Sequence, residues 1–252
     1  MSPAALVALG FGTGLVAGWV NVVAGGGTLL SLPVLALSGL PPMAANATSR
    51  LGVLAQSLSA TVVWHRKRAI PWKLALRLLP VSVVATLAGA EAAALMQTEL
   101  AGTVLAIVFA ALALLTAADA FGLIAPPAAA ASEPTSRTAT LAMFGAIGLY
   151  GGAVQAGVGL LYAYAAYRLG AVTPAQANAL KSLLTLVFSL GALTVFVARD
   201  LVDFGVGLPL ALGSLVGGHL GATFANRLPL RAFKLAIALA AAVTALHFGR
   251  LI

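Results

Sequence analysis

The sequence predicts an all-α integral membrane protein made of two inverted-topology repeats. Each repeat has about five segments: a helical hairpin with a glycine break, then three transmembrane helices. Three observations predict it. Long apolar runs carry almost no charge, two halves share landmarks in the same order, and the bias of basic residues changes sides between matching loops. Composition frames the first. Of 252 residues, 61% are hydrophobic and 8% charged, where a soluble domain carries about 25% charge. Mean hydropathy is +1.05.

The runs set the elements. Residues 4–38, 51–64, 138–167, 182–198 and 204–226 hold no Asp, Glu, Lys or Arg, 78–95 hold only Glu91, and 101–124 hold only Asp119. A crossing helix needs about 20 apolar residues, and unbroken runs of this kind exclude the alternating ten-residue strands of a β-barrel. Three helices stand out in each half, near 46–65, 74–96 and 101–123, then 178–198, 204–225 and 231–249. The remaining segments, 4–40 and 138–170, are each too long for one helix. Gly25-Gly26-Gly27 interrupts the first and Gly157-Val158-Gly159 the second. Glycine inside a helix costs about 1 kcal/mol against alanine, so each segment reads as a hairpin, possible as a re-entrant one. The opening stretch has no positive n-region and no cleavage site, so it reads as a helix and not as a signal peptide.

The halves align in order: GLVAGWVN at 14–21 with GLYGGAVQ at 148–155, Pro42 to Ala47 with Pro174 to Ala179, Leu79-Pro80 with Leu208-Pro209, and Gly89 with Gly218. The expected organisation is a first repeat over 1–124, a Pro/Ala/Ser-rich linker over 125–137, and a second repeat over 138–252. The loop 65–77 carries Arg66, Lys67, Arg68, Lys73 and Arg77, whereas its counterpart 199–203 carries Arg199, Asp200 and Asp203. The next pair reverses the bias: 96–100 has only Glu99, and 224–234 has Arg227, Arg231 and Lys234. Basic loops stay cytoplasmic, so matching loops on opposite sides mark inverted repeats. The net charge of +8 is thus a topology signal and not a nucleic-acid footprint. Trp64 and Trp72 flank the basic loop as interfacial anchors.

The same features bound the chemistry. With no cysteine and three scattered histidines, no disulfide framework, thiolate or zinc site is expected, and no cofactor. No GxxxxGK[ST] motif is present, which argues against ATP-driven pumping. A broken helix offers free amides and a dipole end to an anion, and unwound backbone in a membrane belongs where it is buried or lines a cavity. Gly25, Gly26, Gly27, Gly157 and Gly159 are therefore site candidates, or else merely allow close packing. Polar clusters follow each break: Asn46, Thr48, Ser49 and Arg50, then Asn178 and Lys181. Arg50 and Lys181 read either as anion ligands or as cations that snorkel or pair structurally, with the asparagines as helix caps. Asn21 and Gln155 match in the hairpins and could bond substrate or join helices. Glu91 and His219 are candidates for proton coupling.

With the segment GLVAGWVNVVAGGGTLLSLPVLALSGLPPMAANATSR and its weaker second copy beginning GLYGGAVQAGVGLL, the chain resembles the TauE/SafE family of sulfite exporter-like permeases. The resemblance covers nearly the whole chain. It implies a bacterial inner-membrane permease, a probable exporter of small sulfur-containing anions such as sulfite or organosulfonates. The expected function is secondary transport by alternating access, the anion held between the repeats in the lipid bilayer. The alternatives are an anion channel, a transporter of another small organic anion, or a non-transporting membrane enzyme or assembly factor. Scattered Glu91, His219 and Asp119 argue against the enzyme. A homodimer is possible, since glycine-rich faces could serve one.

Overall fold

The computed structural model describes residues 3–123, 136–168, 172–224 and 230–249. Among these the chain forms ten α-helices and no strand. They are α1 Pro3–Ala24, α2 Thr28–Leu37, α3 Pro42–Arg66, α4 Trp72–Ala94, α5 Thr98–Ala120, α6 Arg137–Ala153, α7 Val158–Arg168, α8 Pro174–Ala198, α9 Phe204–Phe224 and α10 Leu230–Gly249. Most of the joining segment 125–137, Arg227, and the side chains of Arg231 and Lys234 lie outside the described residues. Five helices, α1, α4, α5, α8 and α9, are long and apolar enough to cross a membrane. The hairpins form as expected. The second arm α2, with 10 residues, rises about 15 Å, half of a bilayer core of about 30 Å.

Helix starts differ from the sequence expectation, which put them near 46 and 178. Pro42 and Pro174 each sit at a first helical position, where the missing N–H costs nothing and φ is already helical. At α8 the cap is Thr173: its hydroxyl accepts from the Gln176 N–H at 3.2 Å, and its own N–H donates to Gln176 Oε1 at 2.9 Å. Asn46 and Asn178 are therefore not caps. They lie one turn inside their helices, where their side chains can face other elements.

The ten helices share one packing scheme across the two halves. Each hairpin's first arm packs on the fourth helix of the other half: α1 on α9, and α6 on α4. Glycines set how close they come. A Cβ at Gly14 or Gly18 would meet the backbone of Leu210 or Ser214, and one at Gly148 or Gly152 the backbone of Ser82 or Thr86. Conversely Gly213, Gly217 and Gly221 of α9 lie against Phe11, Leu15 and Trp19 of α1. The pairs advance together by four residues, so α1 and α9 run parallel. Small residues at this spacing let backbones touch, which is how helices associate where lipid gives no hydrophobic drive.

At the centre, α3 and α8 cross antiparallel. Met43 and Ala47, near the start of α3, share a core with Ala192 and Phe196, near the end of α8. Ala60, Val63 and Trp64 pack with Ala177, Leu180 and Leu183. Both helices are mostly buried in protein, which is why α3 tolerates so many polar residues. Each ends in a left-handed residue, Arg68 (φ 52°) and Asp200 (φ 53°) at corresponding turns.

The basic loop is tighter than its charge suggests. Lys67 Nζ donates to the Ala222 carbonyl at 2.8 Å and lies 5.1 Å from the centre of the Trp64 ring. A cation on the last turn of α9 satisfies an orphan carbonyl and faces the negative dipole end. Trp64 is buried, so of the two tryptophans only the exposed Trp72 has the surroundings of an interfacial anchor.

Candidate functional site

The two glycine breaks meet in the middle of the molecule. Gly25 (φ +81°) and Gly157 (φ +72°) take the left-handed backbone that turns each hairpin. A Cβ at Gly159 would lie 3.4 Å from the Gly25 Cα, so the two turns face each other with only glycine between them. Gly27 closes the first hairpin. Its N–H donates to Asn21 Oδ1 at 3.2 Å, and a Cβ there would collide with the Ala17 carbonyl.

Each break is a helix C-terminus with unmet carbonyls, and each is met by a cation from the opposite half. Arg50 Nη2 donates to the Gly152 carbonyl at 2.5 Å, and beside it Asn46 Nδ2 donates to the Ala153 carbonyl at 2.8 Å. Lys181 Nζ donates to the Val22 carbonyl at 2.8 Å and the Asn21 carbonyl at 3.3 Å. Both cations are shut in: Arg50 is 0% exposed and Lys181 4%, so neither snorkels. Neither has a carboxylate partner among the described residues. Negative helix ends and, for Arg50, the Phe196 ring at 4.7 Å stand in for one.

The second break keeps unused polar capacity. Arg50 Nε and Nη1, Asn46 Oδ1 and both amide atoms of Gln155 are buried without a hydrogen-bond partner. Gln155 also holds φ at +65°, a left-handed conformation uncommon outside glycine. Unmet donors on a buried guanidinium are expensive and mark a place where an anion would be welcome.

Of the sequence candidates, the breaks thus gather Asn21, Gly25, Gly27, Asn46, Arg50, Gln155, Gly159 and Lys181. Thr48 is used elsewhere, its hydroxyl accepting from the Asp203 N–H at 3.0 Å at the start of α9. Ser49 donates to the Asn46 carbonyl at 2.7 Å. Asn178 is only partly buried, and its carbonyl accepts from Ser182. Glu91 forms an ion pair with Arg199, both side chains 43% exposed, and His219 lies on an exposed face of α9. A half-exposed pair of this kind contributes at most about 1 kcal/mol. Glu91→Gln is expected to leave pH-gradient-driven flux intact, and loss of the gradient dependence would make Glu91 the coupling group after all.

Sequence reasoning missed a second polar space. Thr28, Ser31, Ser49, Gln56 and Ser214 line a small cavity of about 10 Å³ beneath the start of α2, room for about one water. Gln56 breaks an otherwise apolar stretch of α3, and that was the available signal. A larger open cleft, about 520 Å³, is bordered by Leu37, Pro41, Glu99 and His247 and includes none of the sequence candidates.

Comparison with known proteins agrees with the architecture. A family model described as sulfite exporter TauE/SafE matches residues 10–248. A probable membrane transporter protein, ORF9, of Sinorhizobium sp is 30% identical over 224 residues, 87% of this chain and 83% of that one. The probable membrane transporter protein YfcA of Escherichia coli K12 is 27% identical, covering 88% and 81%. A probable membrane transporter protein of Haemophilus influenzae is 27% identical, covering 86% and 84%. No solved structure matches. With its bundle of long apolar helices, the chain belongs to the TauE/SafE sulfite exporter family and is a multi-pass inner-membrane transporter, not an enzyme.

Proposed function

We propose that the protein is a secondary transporter of small sulfur oxyanions, such as sulfite or an organosulfonate, and that it works by alternating access. The observation that carries the reading is Arg50: a fully buried guanidinium with two unmet donor nitrogens at a helix break. A compact oxyanion offers several acceptor oxygens, and charge-assisted bonds from arginine suit it. Lys181 supplies a second buried charge at the other break. The family description supplies the sulfur chemistry.

Alternating access draws on the halves themselves. The corresponding helices α3 and α8 run antiparallel, and first arms and fourth helices exchange between halves, which is what two inverted repeats would produce. The cations cross from one half to the other, so rocking the halves would change their contacts with the carbonyls.

The test is flux of radiolabelled sulfite into proteoliposomes, with sulfoacetate as competitor. The expected result is saturable uptake, inhibited by sulfoacetate and altered by an imposed pH gradient or potential. No sulfite or sulfonate flux under either gradient would overturn the substrate, and linear, non-saturating conduction would overturn the mechanism.

A further inference from the structure

The cavity under α2 has a counterpart position in the second half, and the two differ. Gly52 and Gln56 of α3 correspond to Leu184 and Phe188 of α8, and Thr28 of α2 corresponds to Leu160 of α7. Where Gly52 leaves room for the Ser214 hydroxyl, which lies 2.9 Å from the position of a Cβ, the second half has a leucine. Phe188 packs against Tyr162 with ring centres 5.8 Å apart. In the packing Ser214, which meets Gly18, takes the place of Thr86, which meets Gly152, and the Thr86 hydroxyl is spent on the Gly148 carbonyl at 3.1 Å. The hydroxyls of Ser82, Thr185 and Ser189 are buried without a hydrogen-bond partner, and none of these residues borders the cavity of the first half. At the positions that match Thr28, Gly52 and Gln56 the second half-site is apolar.

The first is not. Gln56 is 3% exposed, Ser214 2% and Thr28 3%, and none of their side chains makes a hydrogen bond within the protein. They converge on one space, with the opening turn of α2 beside them. We propose that this cavity is a single-sided oxyanion subsite. Neutral donors, the amide of Gln56 and the hydroxyls of Thr28 and Ser214, bind the oxygens of the transported anion at the N-terminal end of α2. The inference rests on the anion-transport reading. It adds ligating atoms outside the break to the charge that Arg50 supplies there, and it makes the two repeats functionally unequal. Hydrogen-bond donors without formal charge, together with a helix N-terminus, suit an anion that must also be released. In the present conformation the space holds about one water, so an oxyanion enters only when α2 and α9 part.

The absence of cysteine from the chain makes the test direct. Ser214→Cys in the full protein is treated with the anionic thiol reagent methanethiosulfonate ethylsulfonate, in membrane vesicles of both orientations, with isethionate or sulfate as protectant. The expected result is modification from at least one side and protection by an oxyanion. In flux assays Gln56→Leu and Ser214→Ala each raise the KM for the transported anion about tenfold, the loss of one to two hydrogen bonds. The second-half control Thr185→Ala leaves KM unchanged. Val53→Cys, also on the cavity wall, replaces Ser214→Cys if that variant does not fold. Sulfite flux by the wild type with unchanged KM in both variants and no labelling would overturn the subsite and leave the transport reading standing. Labelling and protection by sulfate, with no sulfite or sulfonate flux, would support the subsite and overturn the sulfur substrate.

Discussion

Arg50→Met is expected to abolish transport without weakening the fold. The guanidinium is fully buried, has no carboxylate partner among the described residues, and satisfies one of its nitrogens on the Gly152 carbonyl. Methionine keeps most of the volume beside Phe196 and removes the charge. Replacing a buried charge by an apolar side chain of similar size is often neutral or stabilising. The melting temperature in detergent should therefore hold within about 2 °C or rise. Flux should fall by about two orders of magnitude, the cost of losing a buried charge from an anion's surroundings. Both are read on one preparation, by thermal denaturation and by uptake into proteoliposomes. A variant that melts well below wild type would make Arg50 a structural cap of α6, and wild-type flux would remove it from the site.

Gly14→Val should prevent the bundle from assembling, while Gly12→Val, two residues away, should be tolerated. A Cβ at Gly14 would collide with the Leu210 carbonyl oxygen, whereas nothing lies within 4 Å of one at Gly12. Backbone cannot rotate aside as a side chain can. Pushing α1 off α9 forfeits the close contact along the helix pair, a loss of about 3 kcal/mol or more. Gly12→Val faces lipid and should shift stability by no more than about 0.5 kcal/mol. The fraction of monodisperse protein after detergent extraction separates the two, and equal behaviour would refute the described α1–α9 packing.

Much of this was legible in the sequence because bilayers constrain it so strongly. Length of apolar run and paired glycines made the helices and the breaks readable. The cations were legible as unusual, but not what they would meet. Arg50 touches a carbonyl from residue 152 and Lys181 carbonyls from residues 21 and 22, contacts that exist only once helices from different halves are packed. Asn46 looked like a cap because asparagine commonly is one, but the helix starts a turn earlier, with Pro41 at the cap and Pro42 at its first position. The α2 cavity was hidden for a related reason. Thr28, Gln56 and Ser214 stand singly in three helices, and no spacing along the chain links them. Their meeting depends on Gly27 and Gly52, whose missing side chains bring α2 onto α1 and leave space for Ser214 beside α3.

The exchange of partners between halves governs how the protein can be made. The first arm α1 leaves the ribosome long before its packing surface, α9, is synthesised. Until then the glycine face of α1 has only lipid beside it, and the carbonyls at the first break have no lysine. The first half is thus an incomplete intermediate and not a small transporter to which a second was added. Biogenesis must keep it in the membrane, loosely associated and shielded from quality-control proteases, until the second half arrives. Carrying both sets of helices in one chain ensures that the waiting partner is always delivered, one copy for one copy.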